Sequence, residues 1–109
     1  MQGLKRLTLG GVGARSQRRH LEDVQRRLMG ARESLRVLEE QVAVWNEALD
    51  DARIRSLVSE TPLVTAEYNE LSKHVVAANA EMIRRSHEVQ SLTAERDGLL
   101  RDLPKDENG

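Results

Sequence analysis

The chain has no cysteine, and its only aromatic residues are one Trp and one Tyr among 109 residues. Without cysteine it cannot hold a disulfide framework, a thiolate metal site or a Cys nucleophile, which fits a reducing compartment. A broad globular core usually draws on several large aromatic side chains, because each buries so much area. The scarcity of aromatics therefore favours a narrow seam of aliphatic residues.

Long apolar runs are also missing. No stretch approaches the ~20 apolar residues of a membrane span, and the N-terminus lacks the apolar core of a secretory signal. We therefore expect a cytoplasmic protein. Residues 1–20 are Arg-rich and contain no acidic residue. Organelle transit peptides have a similar composition, so a transit peptide is the alternative interpretation.

Charged residues make up 32% of the chain, at a net charge of −1. Abundant Leu, Ala, Glu and Arg are typical of long helices and coiled coils. The near-neutral balance argues against wholesale binding to nucleic acid or anionic lipid.

Apolar residues follow an unbroken 3-4 spacing in two segments, which is the a/d pattern of a coiled coil. The first segment comprises Leu21, Val24, Leu28, Ala31, Leu35, Leu38, Val42, Trp45, Leu49 and Ala52. The second comprises Val64, Tyr68, Leu71, Val75, Ala78, Met82, Val89, Leu92, Leu99 and Leu103, with Arg85 and Arg96 at two seam positions. We expect these arginines to extend to water from an apolar stem or to pair with an acid of a neighbouring helix.

The two seams are out of phase across the segment RSLVSETPLVTAEY. Thr61 is a good N-cap before Pro62 at a first helical position, and Thr65 is a second candidate cap. The sequence therefore predicts an all-α fold, an antiparallel two-helix coiled-coil hairpin. Its helices are expected at about 16–58 and 64–103, with a turn at about 59–63. A single long helix kinked at Pro62 is the alternative.

The chain ends are expected to lie outside this hairpin. Gly10, Gly11 and Gly13 weaken helix formation, so residues 1–15 are interpreted as a flexible basic arm before a cap at Ser16. Pro104 is expected to end the second helix, leaving residues 104–109 as a disordered polar tail.

The pairing of seam positions predicts layers such as Leu38 with Met82, Val42 with Ala78 and Leu28 with Leu92. Such a hairpin buries only one stripe per helix and is marginal alone. Apolar residues off the seams predict self-association, most simply as a C2 homodimer forming a four-helix bundle. The candidates are Val37, Val44, Val76 and Ile83 on the flanks, and Ile54, Leu57, Val58 and Leu63 near the turn. There are two alternatives. A different protein could bind at the tip or flank, or Leu4, Leu7 and Leu9 could shield these apolar residues from water.

No catalytic, metal or cofactor site is predicted. The three histidines form no i,i+4 pair, no serine has a base and acid arranged around it, and LGGVGAR lacks the context of a phosphate-binding loop. We therefore expect no enzymatic activity.

A basic N-terminal segment is the one charge feature that suggests a ligand. It could contact nucleic-acid phosphates or an anionic membrane, although it has no aromatic residue for base stacking. Its residues are Lys5, Arg6, Arg15, Arg18 and Arg19.

The run DARIRSLVSETPL, with the heptads on either side, resembles the turn region of small actinobacterial coiled-coil proteins to which no function has been assigned. The resemblance implies a cytoplasmic helical hairpin without catalytic activity. The first functional hypothesis is thus a structural or adaptor module mediating protein–protein association. The second is a nucleic-acid- or membrane-associated protein that uses the basic arm.

Overall fold

The computed structural model describes the backbone of residues 2–103 and the side chains of residues 13–103. Two α-helices, α1 (Gln2–Ser59) and α2 (Pro62–Asp102), account for nearly all of this part, which contains no strand. Leu28 of α1 packs in one cluster with Leu92 of α2. The antiparallel two-helix hairpin is therefore confirmed, and the single kinked helix is wrong.

A two-residue connection reverses the chain. Glu60 has a left-handed backbone, with φ of 44°, and its N–H donates to the Ser56 carbonyl at 3.2 Å. This is the αL motif that ends many helices, usually with glycine at this position. Thr61 then caps α2, because its Oγ1 accepts from the Val64 N–H at 3.3 Å. The turn is shorter than the 59–63 expected, and Thr65 lies inside α2.

The chain forms two compact units. The terminal unit contains the described residues of Met1–Ala31 and Glu88–Gly109, and its core joins Val24, Leu28, Ala31 and Leu92. Val24 and Leu28 are fully buried. His20 of α1 lies 3.0 Å from the Glu95 carboxylate of α2, so a polar contact crosses the helices beside this core.

The turn unit spans Arg32–His87. Leu38, Val42 and Ala78 form its buried cluster, with Trp45 and Met82 packed against it. Large residues thus lie among small ones, as dense packing requires. The remaining seam positions of this unit are buried or half-buried, namely Leu35, Leu49, Ala52, Val64, Tyr68, Leu71 and Val75.

Helix α1 begins at Gln2, well before the start expected at Ser16. The backbone of the glycine-containing segment is helical because extending an existing helix is much easier than nucleating one. The expected boundary at residue 16 is therefore not a break in secondary structure. Helix α2 ends at Asp102, while the tail expected at residues 104–109 lies outside the described residues.

Replacing the capping residue tests the turn. Thr61→Ala removes the acceptor of the Val64 N–H and should lower the free energy of unfolding by about 1 kcal/mol. Thr65→Ala is the matched control, because Thr65 is exposed inside α2 and Ala is the better helix former. Urea denaturation followed by circular dichroism measures both. Equal losses in the two variants would contradict the cap.

Candidate functional site

Two exposed aliphatic stripes lie in the turn unit. The α1 stripe consists of Val37 and Val44, which are 39% and 63% exposed. The α2 stripe consists of Val76 and Ile83, which are 67% and 54% exposed. All four were predicted from the sequence as self-association candidates, and the structure places them at the surface.

The two stripes face opposite flanks of the hairpin. With the Leu38, Val42 and Ala78 cluster facing inward, helical periodicity turns Val44 toward one flank and Val76 toward the other. The surface groove lined by Val37 and Val44 shares no residue with the groove lined by Val76. A single flat contact therefore cannot cover both stripes at once.

The α1 stripe lies in one shallow open groove, and Val76 of the α2 stripe lies in another. The α1 groove is lined by Val37, Glu40, Gln41, Val44 and Trp45. The α2 groove is lined by Asn69, Ser72, Lys73, Val76 and Ala77. Neither groove encloses a space in which a small molecule would be buried on most sides, as small-molecule sites usually do.

A third apolar patch lies beside the turn. Ile54, Leu57, Val58 and Leu63 are all strongly exposed there. Leu57 and Val58 are in the last turn of α1, and Leu63 is in the first turn of α2. We call these four residues the turn patch.

Arg85 crosses between the helices. Its Nη1 donates to the Ser34 Oγ at 2.9 Å and to the Ser34 carbonyl at 3.3 Å, while its Nε donates to the Glu81 carboxylate at 3.1 Å. The acid that pairs with Arg85 thus lies on its own helix, four residues earlier, and the cross-helix partner is a serine. Arg96, the other seam arginine, pairs with the adjacent Asp97.

Two surface networks shift the pKa values of their members. Hydrogen bonds from Arg84 and Arg85 hold the pKa of the Glu81 carboxyl below its ordinary value. A hydrogen bond from Arg36 likewise lowers the pKa of the Glu33 carboxyl. The interactions with Glu33 and Glu40 in turn raise the pKa of the Arg36 guanidinium. These pairs are exposed, so they contribute little to stability.

The histidines lie in separate surroundings. His74 meets the Trp45 ring edge-on, with ring centroids 4.3 Å apart, and His20 contacts Glu95. Sequence reasoning missed both contacts, although Trp45 and His74 lie three and four residues closer to the turn than the predicted layer of Val42 with Ala78. Among the residues that the structure describes, no three His, Asp or Glu side chains are grouped to hold a metal ion.

Part of the basic segment lies within the described side chains. Arg15, Arg18 and Arg19 are exposed on α1, whereas the side chains of Lys5 and Arg6 lie outside the described residues. Over the described part of the chain, neither helix has a stretch that is both long and apolar enough to cross a membrane.

The chain was compared with protein-family models, curated proteins and solved structures, and no match was found. The function of this chain must therefore be inferred from its own surfaces.

The Glu81 network predicts a defined pH dependence. Because the pKa of Glu81 is lower in the folded state, its stabilising effect is present at neutral pH and is lost as the pH falls through that lowered pKa. Glu81→Gln should therefore lower the melting temperature slightly at neutral pH, and the difference from wild type should shrink on acidification. Thermal melts followed by circular dichroism at several pH values measure this.

Glu39→Gln is the control for that series, because Glu39 is exposed and forms no ion pair with any described side chain. A Glu81→Gln curve that stays parallel to wild type across the whole pH range would contradict the assignment.

Proposed function

We propose that this chain is a non-enzymatic coiled-coil module that mediates protein–protein association, with a second copy of itself as the first partner. The observation that carries the proposal is the exposure of the α1 stripe, the α2 stripe and the turn patch on a hairpin whose seam is already filled by other residues. Isolated exposed aliphatic residues are ordinary, but rows of them at helical spacing mark contact surfaces.

The small core gives an energetic reason for association. The two compact clusters are built from Leu, Val and Ala, and a two-helix fold of this size is marginal alone. Burying apolar surface contributes about 25 cal/mol per Å². Covering a stripe with a second hairpin would therefore stabilise both copies, as neighbouring helices do in four-helix bundles.

The open shape of the grooves supports an association role over catalysis. A reaction needs groups held together in a pocket that excludes water, whereas both grooves are shallow and lined by apolar and uncharged polar side chains with one charged residue each. The turn patch adds a surface to which a different protein could bind while the flanks hold a second copy.

Placing charges on the stripes tests the proposal. A triple variant with Val44→Glu, Val76→Glu and Ile83→Glu should be monomeric, because burying an unpaired carboxylate is strongly unfavourable. Wild type should show a larger mass by size exclusion with light scattering. Circular dichroism should show unchanged helix content, since all three positions are exposed.

The control variant carries Ala43→Glu, Ala66→Glu and Gln90→Glu, which add the same charge at exposed positions outside the stripes. It should keep the wild-type mass. A wild type that stays monomeric at every concentration, or a stripe variant that keeps the wild-type mass, would contradict self-association through the stripes.

A further inference from the structure

We infer that the α1 stripe of one copy binds the α2 stripe of a second copy, so that copies join head to tail through opposite flanks. This inference rests on the proposed function and specifies the surfaces that meet. It replaces the simple C2 four-helix bundle expected from the sequence with a contact between two different surfaces.

The charged residues around the two stripes differ in sign. Residues three or four positions from Val37 and Val44 are their neighbours on the helix surface, and these include Glu33, Glu40 and Glu47 but no base. The corresponding neighbours of Val76 and Ile83 include Lys73 and His87 but no acid. Arg36 neutralises part of the acidic border, because it pairs with both Glu33 and Glu40, and Lys73 pairs with Glu70 at 3.6 Å. With three acids to one base, the α1 stripe keeps a net negative border, whereas the α2 stripe is bordered by positive or neutral groups.

The apolar residues of the two stripes have the same spacing along their helices. The two residues of each stripe are separated by two helical turns, about 10.5 Å along the axis. Val42 and Ala78 lie in one buried cluster, and Val44 and Val76 are each two residues closer to the turn than this layer. Val37 and Ile83 are each five residues farther from it. The apolar residues of the two stripes can thus align without any axial shift.

A twofold contact between two identical stripes is less favourable than a contact between an α1 stripe and an α2 stripe. A C2 contact brings the same surface of both copies together. Pairing two α1 stripes would bring two borders of net negative charge together, and like charges across an interface are unfavourable. Pairing two α2 stripes would leave both α1 stripes exposed. Only the contact between an α1 stripe and an α2 stripe brings opposite charges together and uses both surfaces.

A head-to-tail contact leaves one free stripe of each kind on every pair. Addition of further copies then continues until a ring closes or the assembly grows with concentration. The mass of the wild type is consequently expected to exceed that of a dimer at high concentration, and to fall as salt screens the charges.

The decisive experiment mixes two full-length single variants. Val44→Glu disables the α1 stripe and leaves the α2 stripe intact, while Val76→Glu does the reverse. Each variant alone should be monomeric by sedimentation velocity. The mixture should form a 1:1 heterodimer that grows no further, because its two remaining stripes are the disabled ones. Ala43→Glu mixed with Ala66→Glu is the control and should assemble like wild type.

Other outcomes would overturn the inference in recognisable ways. If wild type self-associates and one single variant still forms a homodimer, the proposed function stands but the contact joins two identical stripes. If both variants alone and the mixture are monomeric while wild type associates, the stripes do not bind each other. If wild type is monomeric at every concentration, both the proposed self-association and the head-to-tail contact are contradicted.

A charge exchange tests the electrostatic part separately. In the background of the mixing experiment, Lys73→Glu added to the Val44→Glu chain should weaken the heterodimer several-fold. Glu47→Lys added to the Val76→Glu chain should restore part of that loss. Unchanged affinity in the first case would show that charge does not select the partner stripe.

Discussion

The burial of aliphatic side chains between α1 and α2 is the interaction on which the rest of the structure depends. Each helix has one narrow apolar face, and the two faces can leave water only against each other. Leu38, Val42 and Ala78 show the result in the turn unit, where small and large residues fill the space without any large aromatic at the centre. Because this seam is so narrow, large apolar residues outside it, such as Val44, Val76 and Ile83, remain at the surface.

The turn shows how local chemistry accommodates that packing. The chain reverses within Glu60 and Thr61, so Glu60 adopts a left-handed backbone that costs a non-glycine residue about 1–2 kcal/mol. The cap from Thr61 and the fixed φ of Pro62 favour the start of α2. Burial along both arms outweighs the local strain, because the same reversal brings all the seam residues together.

The hairpin could be predicted from the sequence because heptad spacing reports directly which residues face inward. The layer that joins Val42 with Ala78 follows from that spacing and from the out-of-phase seams around Pro62. The partner of Arg85 could not be predicted, because a long side chain reaches several acceptors and its rotamer depends on packing. The helical backbone of residues 2–15 could not be predicted from glycine propensity, because propagation from an existing helix outweighs that propensity. The stripes could also be predicted, because helical spacing places Val37, Val44, Val76 and Ile83 off the two seams.

The edge-on contact between Trp45 and His74 gives the molecule an intrinsic optical reporter. Trp45 is the only tryptophan of the chain, and it forms part of the wall of the α1 groove. Its emission depends on the polarity and mobility of what surrounds the indole. Whatever binds in that groove must displace water next to this ring, so occupancy of one flank can be followed by fluorescence without attaching a label, while the opposite flank stays spectroscopically silent.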